Sequence, residues 1–218
     1  MSNPLPQLIA FDVDNTLIFG PEADQFYRLY SAALERAFAM CAGISLSESK
    51  VQLDAFRAAH NGRGELAFPA AGYALDNVYD AICSVDPTRL PRMEKTIATL
   101  TALQKHATLI AITDGPDLQA ERLFAATGID PSLFTEIICW QRGSPMPKGG
   151  RDEVFTALSQ RYHVHPSQIL MVGDALEIDI LPARRAGLNT MFIGDGPDAI
   201  PNITHLTSLY DNTTTYLD

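Results

Sequence analysis

The chain has 218 residues, enough for one ordinary domain with room for a second, smaller module. Hydrophobic residues make up 46% and charged residues 19%, so a packed core is expected and a disordered or fibrous chain is excluded. The formal net charge of −10, with no basic block to offset it, argues against nucleic acid and against an anionic membrane as partners. No apolar run is long enough for a membrane-spanning helix. The opening Met1-Ser2-Asn3-Pro4-Leu5-Pro6 lacks a basic region followed by an apolar stretch, so no secretory signal is expected. Cys41, Cys83 and Cys139 are widely spaced and form no CxxC, which reads as three reduced, mostly buried thiols. A cytoplasmic location is therefore expected. The acidic charge leaves a small phosphorylated substrate open, because one divalent cation and one lysine can reverse the local field.

In chain order, the first apolar run is Leu8–Asp12, read as a buried strand. An excursion from Phe19 to Val85 follows with no strand signal. In it Phe26, Tyr30, Ala33, Ala37, Phe38 and Cys41 recur at helical spacing. Ser45 with Glu48 forms a capping box opening a second helix to about His60. His60-Asn61-Gly62-Arg63-Gly64 is a polar turn, open between a plain linker and a substrate contact, with Arg63 the candidate. Leu75, Val78, Tyr79 and Ile82 mark a third helix. So long a connection is rarely structureless, and it reads as an inserted helical cap. Asp86-Pro87 then starts a helix over Arg89–Lys105. Strands at Thr108–Thr113, Glu136–Trp140, Ile169–Gly173 and Thr190–Ile193 alternate with helices at Asp117–Thr127, Asp152–Tyr162 and Asp179–Ala186. The alternation predicts a doubly wound α/β domain with a parallel sheet, formed by residues 1–18 and 86–218, and a smaller α-helical domain over 19–85.

Open α/β sheets bind ligands beyond the carboxyl ends of their strands. The first strand runs into Asp12-Val13-Asp14-Asn15-Thr16-Leu17, and the second ends in Thr113-Asp114-Gly115. Lys148 follows the third strand in a loop rich in proline and glycine, and the fourth ends in Gly173-Asp174, with Glu177 and Asp179 close behind. Carboxylates converging on one crevice repel each other unless a cation or a proton joins them. An oxygen-only donor set suits Mg2+. Phosphoryl transfer needs a nucleophile, charge neutralisation and proton handling, which these residue types supply.

These four segments, in this order and over essentially the whole chain, resemble the motifs of the haloacid dehalogenase superfamily in its phosphatase branch. The resemblance implies a Rossmann-like core with strand order 5-4-1-2-3 and a magnesium-dependent phosphomonoester hydrolase. It implies that Asp12 attacks phosphorus to give an aspartyl-phosphate, and that Asp14 acts first as general acid and then as base. The Asp12 carboxylate, the Asp14 backbone carbonyl and Asp174 then ligate Mg2+, with Asp179 orienting metal waters or a ligand. Thr113 hydrogen-bonds the phosphoryl group, and Lys148 neutralises its charge. Two positions depart from the family pattern. Pro147 precedes Lys148 where the order Lys-Pro is common, which leaves Arg142 or Arg151 as alternative carriers of positive charge. Asp114 occupies a position where asparagine is common, and as an extra carboxylate at a phosphate site it is expected either to contact substrate or to point away.

The expected substrate is a small phosphorylated metabolite of unspecified identity. A haloacid dehalogenase is disfavoured by Asp14, because the family's dehalogenases do not carry an aspartate two places after the nucleophile. A phosphomutase keeps both aspartates and remains open. A non-enzymatic phospho-receiver module is about half this length. Glu177 competes with Asp179 as the metal's helper, its alternative being a helix-start cap. His163 and His165, beside Pro166, read as a surface turn rather than a transition-metal pair. The Asp-Gly-Pro-Asp stretches at Asp114–Asp117 and Asp195–Asp198 read as turns.

Overall fold

The computed structural model describes residues 5–149, 151–195 and 199–207. A parallel sheet of six strands forms the middle layer: β1 (Leu8–Phe11), β2 (Thr108–Pro116), β3 (Glu136–Trp140), β4 (Ile169–Gly173), β5 (Asn189–Ile193) and β6 (Ala199–Ile200), in the order β3-β2-β1-β4-β5-β6. All four β1 residues are buried, as a central strand covered on both faces requires. Leu8 and Ala10 join one apolar cluster, whereas Ile9 and Phe11 join the other. Successive side chains of a strand point to opposite faces, so one apolar run serves two cores. The observed order is the expected one with β6 added beyond β5. Two residues are too few to register as an apolar run.

The chain extends outward from β1 through β2 to β3, then returns to pair β4 with the other side of β1. This switch point lies at the carboxyl end of β1 and opens the crevice. Between β1 and β2 lie α1 (Pro21–Ala42), α2 (Leu46–Ala59), α3 (Ala67–Ala70) and α4 (Asp76–Cys83). The capping box at α2 is present: Ser45 N–H donates to Glu48 Oε2 at 2.9 Å, and Glu48 N–H donates to Ser45 Oγ at 3.3 Å. The turn at His60–Gly64 and the short α3 fold beneath α1, where Phe38 stacks edge-on against Phe68 and Tyr73.

Four expectations are corrected. The helix placed over Arg89–Lys105 forms only over Glu94–Leu103 (α5). Asp86 instead folds an Asx turn onto Thr88 N–H at 3.0 Å, Pro91 interrupts the next turn, and Met93 N–H donates to Thr127 O. The Asp114–Asp117 stretch is no turn: β2 continues to Pro116 with a register shift against β3, and α6 (Asp117–Thr127) starts at once. The last helix begins as a π turn over Leu176–Ile180 and becomes α8 only at Leu181–Arg185. Pro182 has no N–H for the Ile178 carbonyl, which favours a wider turn before it. All three cysteines are free, but each is half-buried rather than buried. Helix α7 (Glu153–Tyr162) completes the second layer. Of the second Asp-Gly-Pro-Asp stretch, residues 196–198 lie outside the described residues, as does residue 150. Among the described residues, no helix is long and apolar enough to cross a membrane.

Candidate active site

Asp12 extends the β1 ladder by one bond, its N–H donating to Val172 O at 2.9 Å. The chain then reverses over Val13–Ile18. The Val13 carbonyl accepts from the N–H groups of Leu17 at 2.9 Å and Ile18 at 3.1 Å, and Asn15 takes a left-handed conformation at φ 57°. Val13, Leu17 and Ile18 are fully buried anchors, and Thr96 of α5 donates to Leu17 O at 2.9 Å. So held, Asp12 and Asp14 line the same cavity of about 310 Å³, joined there by Thr113, Asp114, Lys148 and Asp174.

Thr113 ends the regular part of β2, and its Oγ1 accepts from Gly115 N–H at 2.8 Å. Its hydroxyl also hydrogen-bonds the Asp14 carboxyl. A Cβ on Gly115 would stand 3.1 Å from Thr113 Oγ1, tighter than most such contacts, so the glycine leaves that hydroxyl room at the end of β2. Asp114 does not point away. Its carboxylate accepts from the N–H of Lys148 at 2.7 Å and of Gly149 at 3.0 Å, and so clamps the loop that carries Lys148. Arg63 Nη2 reaches Asp114 at 3.5 Å and Met146 Sδ at 3.6 Å, while its Nε donates to Glu65 at 2.8 Å. Arg63 thus ties the helical insertion to the edge of the site.

The Lys148 ammonium, 3% exposed, contacts Asp12 and lies 2.6 Å from Asp179 Oδ1. Neither arginine alternative comes near: Arg142 pairs with Asp80 and covers the Tyr79 ring at 4.5 Å, and Arg151 lies 3.9 Å from Glu153. Asp179 is fully buried, and its Oδ2 accepts from Ala175 N–H at 3.0 Å. A Cβ on Gly173 would fall 2.4 Å from Asp179 Oδ2, so only glycine lets Asp179 fold back over the end of β4. The π turn produces that fold-back, because the N–H groups of Ile178, Asp179 and Ile180 all converge on Ala175 O. Glu177 faces solvent. His163 is the left-handed cap that ends α7, and His165 Nδ1 accepts from Ser167 N–H, so both are structural.

Burial raises the Asp12 carboxyl well above the usual carboxylate range; Lys148 opposes this, and the charges of Asp179, Asp174 and Asp14 reinforce it. Asp174 is pushed up to about 6 by burial and then by Asp179. Burial also raises Asp14, whose Oδ1 is shielded from solvent, while hydrogen bonds from Tyr27 and Thr113 to its carboxyl oppose the rise. Burial works against the Lys148 ammonium, but Asp12 and Asp179 outweigh it and hold the charge. One cation thus stands among more carboxylates than it can balance. Ligand oxygens of Asp12, Asp174 and Asp179 lie within 4.8 Å of one another. An oxygen-only set with surplus negative charge fits a hard divalent cation, which usually binds through one or two carboxylates and keeps several waters.

A model of the haloacid dehalogenase-like hydrolases matches residues 6–187. The chain belongs to this family. Solved structures of haloacid dehalogenase-like hydrolases share the fold. A HAD phosphatase from Thermococcus onnurineus aligns with a TM-score of 0.64 at 20% identity, covering 94% of this chain and 97% of that one. The HAD-hydrolase YfnB from Bacillus subtilis, bound to magnesium, aligns at 0.62 and 19% identity, covering 95% and 100%. A 2-haloacid dehalogenase from Pseudomonas syringae aligns at 0.60 and 20% identity, covering 95% and 99%. None of the curated proteins matches the chain in sequence. At these identities the structural likeness extends to the fold alone, and this haloacid dehalogenase-like hydrolase must be read for its reaction from its own residues. Among the lining residues that escaped the sequence reading as site residues are Glu65, Gln119 and Tyr30, the last of which looked like one more position of an apolar helical stripe.

Proposed function

We propose that this hydrolase cleaves phosphate monoesters of small metabolites through an aspartyl-phosphate on Asp12, with Mg2+ as cofactor. The observation that carries the reading is Asp14: a second carboxyl in the same cavity as Asp12, raised by burial so that its protonated form is favoured. A general acid must hold its proton until the leaving oxygen takes it, and burial favours that protonated form. Displacement of halide from an alkyl carbon needs no such acid.

In the first half-reaction the Asp12 carboxylate forms a bond to phosphorus as the P–O bond to the leaving group breaks. Asp14 gives its proton to the departing oxygen. In the second half-reaction Asp14 takes a proton from water as that water attacks the aspartyl-phosphate, freeing Asp12 and inorganic phosphate. Lys148 holds positive charge beside Asp12, and on this reading the Thr113 hydroxyl exchanges its hydrogen bond with Asp14 for one to a phosphoryl oxygen. Asp12, the Asp14 carbonyl and Asp174 hold Mg2+, with Asp179 steadying Lys148 and the end of β4. Bound there, the ion supplies electrostatic stabilisation of the phosphoryl oxygens. The test measures phosphate release from nitrophenyl phosphate and a panel of alkyl phosphates, with magnesium and with chelator. Release that requires magnesium supports the reading. Turnover of haloacids without turnover of any phosphate ester overturns it in favour of a dehalogenase.

A further inference from the structure

The loop over residues 141–149 carries Lys148 into the cavity, and its own backbone does little to hold it. Pro145 and Pro147 have no N–H to give. Within the loop, among the described residues, Ser144 N–H donates to Gln141 O at 3.0 Å, and Trp140 Nε1 reaches in to Ser144 O at 2.8 Å. The N–H groups of Lys148 and Gly149 take their acceptor from another strand. Lys148 N–H donates to Asp114 Oδ1 at 2.7 Å, while Gly149 N–H lies 3.0 Å from Oδ2 and 3.2 Å from Oδ1. Gly149 turns its N–H that way in a left-handed conformation at φ 50°. Bonds to an ionised acceptor are roughly twice as strong as neutral ones, so this pair is the loop's main anchor beside the cavity.

Asp114 Oδ2 has a further neighbour in the insertion. Arg63 Nη2 lies 3.5 Å from it and 3.6 Å from Met146 Sδ, in the same loop as Lys148. Arg63 is buried, and its turn is fixed to the end of α2: Gly62 N–H donates to Arg57 O at 2.9 Å and Arg63 N–H to His60 O at 3.0 Å. The Asp114 carboxylate therefore stands between the insertion and the Lys148 loop, with both oxygens taken by donors of the protein. That arrangement suits holding a main chain better than holding a substrate. An amide in its place could keep the Lys148 bond on its oxygen, but its NH2 would meet Arg63 as a donor facing a donor.

Resting on the phosphatase reading for the role of Lys148, we propose that Asp114 is a positioning residue that acts through Lys148. It fixes the lysine's main chain so that the ammonium meets Asp12 and Asp179, and through Arg63 it makes that placement depend on docking of the helical insertion. A lysine side chain is long and flexible, so a released main chain lets the charge drift from the phosphoryl group. A misplacement of about 1 Å can cost about 10²-fold in rate. When the insertion lifts, Arg63 leaves Asp114 and the loop loosens. Docking restores the clamp, so the site is complete only when closed.

The test uses the full chain with magnesium and has two arms. The first follows hydrogen exchange at the Lys148 and Gly149 amides by NMR. Asp114→Ala should speed both by about 10-fold or more, and Asp114→Asn, of the same shape, should spare Lys148 and speed Gly149 by about 3-fold. Arg63→Met should speed both by about 2- to 3-fold. Wild-type exchange in both Asp114 variants overturns the clamp, and wild-type exchange in Arg63→Met overturns its link to the insertion. The second arm measures single-turnover phosphoenzyme formation from nitrophenyl phosphate. Asp114→Ala should lower it by about 10- to 100-fold, and Asp114→Asn should recover most of that loss. In a Lys148→Met background, Asp114→Ala should cost less than about 2-fold, because the group it positions is gone. An equal loss in both backgrounds overturns action through Lys148. A wild-type protein that releases phosphate from no ester instead overturns the phosphatase reading, and the exchange arm still decides the clamp.

Discussion

At the sheet edge, Asp12, Lys148 and Asp179 touch one another with almost no solvent exposure, whereas in the helical insertion Lys50 and Asp54 pair at the surface and the interior is aromatic. Charges out of water are tolerable only when each has partners at fixed positions, so removing one strands another. An apolar interior asks only for shape and volume, and volume-conserving exchanges there usually cost less than about 1.5 kcal/mol. One half of the cavity is thus tightly constrained residue by residue. The other half can vary while keeping its fold, which suits a wall that selects substrates.

The comparison breaks first at Asp12. Asp12→Asn should lower turnover by about 10³-fold or more, because an amide is a poor nucleophile. A thermal melt should find the protein folded; near wild-type turnover would place the nucleophile elsewhere. Next, Asp14→Asn should cost about 10²–10⁴-fold in single-turnover phosphoenzyme formation from an alkyl phosphate. Nitrophenyl phosphate, whose leaving group departs without an acid, should lose far less in that step. Equal losses from both esters would make Asp14 structural.

Gly173→Ala sharpens the comparison, because its new Cβ meets Asp179 rather than a flexible side chain. It should cost about 1–3 kcal/mol in stability, the usual range for overpacking, and weaken magnesium dependence as Asp179 is displaced. Denaturant melts and magnesium titrations of activity check both effects.

On the magnesium reading, protons and metal compete at the same edge. The folded-state pKa of Asp174 lies above its unfolded value, so the folded protein binds the extra proton and this group destabilises the fold once ionised. In metal-free protein its contribution should therefore fall as pH rises from about 4 to about 6. The stability of wild type minus that of Asp174→Asn isolates it. Added magnesium should raise the melting temperature more at pH 7 than at pH 5, and an equal rise at both would argue against binding at this carboxylate. The smallest effect belongs to the insertion. Ser45→Ala removes the cap of α2 and should cost about 1 kcal/mol while kcat stays at its wild-type value.

Much of this was legible because the signals are short-range. The buried runs at Leu8, Thr108, Glu136, Ile169 and Thr190 announced five strands, and strand ends are where an open sheet puts its ligands. Ser45 and Glu48 announced their own helix. The start of α5 was misplaced because Asp86-Pro87 reads as a helix start, while the bond from Met93 N–H to Thr127 O comes from a segment 34 residues away and leaves no local mark. Asp114 was opaque for the same reason: its partners are the N–H groups of Lys148 and Gly149, reached only after β3 is laid down. Tyr30 fits the apolar stripe of α1 by spacing, and its hydroxyl's partner, Gln119 of α6, lies 89 residues away and leaves no local mark.

The π turn at Leu176–Ile180 stores a length mismatch in three dimensions. It takes up one residue more than an α-helical turn would need to link the end of β4 to α8. A chain shortened by one residue between Ala175 and Asp179 could close the same span as ordinary α-helix. Its aspartate would then swing by about 100° around the helix axis and leave the end of β4. Such a deletion would be nearly silent in a hydropathy profile and could even relieve backbone irregularity. It would nonetheless uncouple Lys148 from the partner that, with Asp12, keeps it charged. Tolerance of insertions and deletions along this chain is therefore a matter of phase, and a loop that looks free to change length can be tuned to the residue.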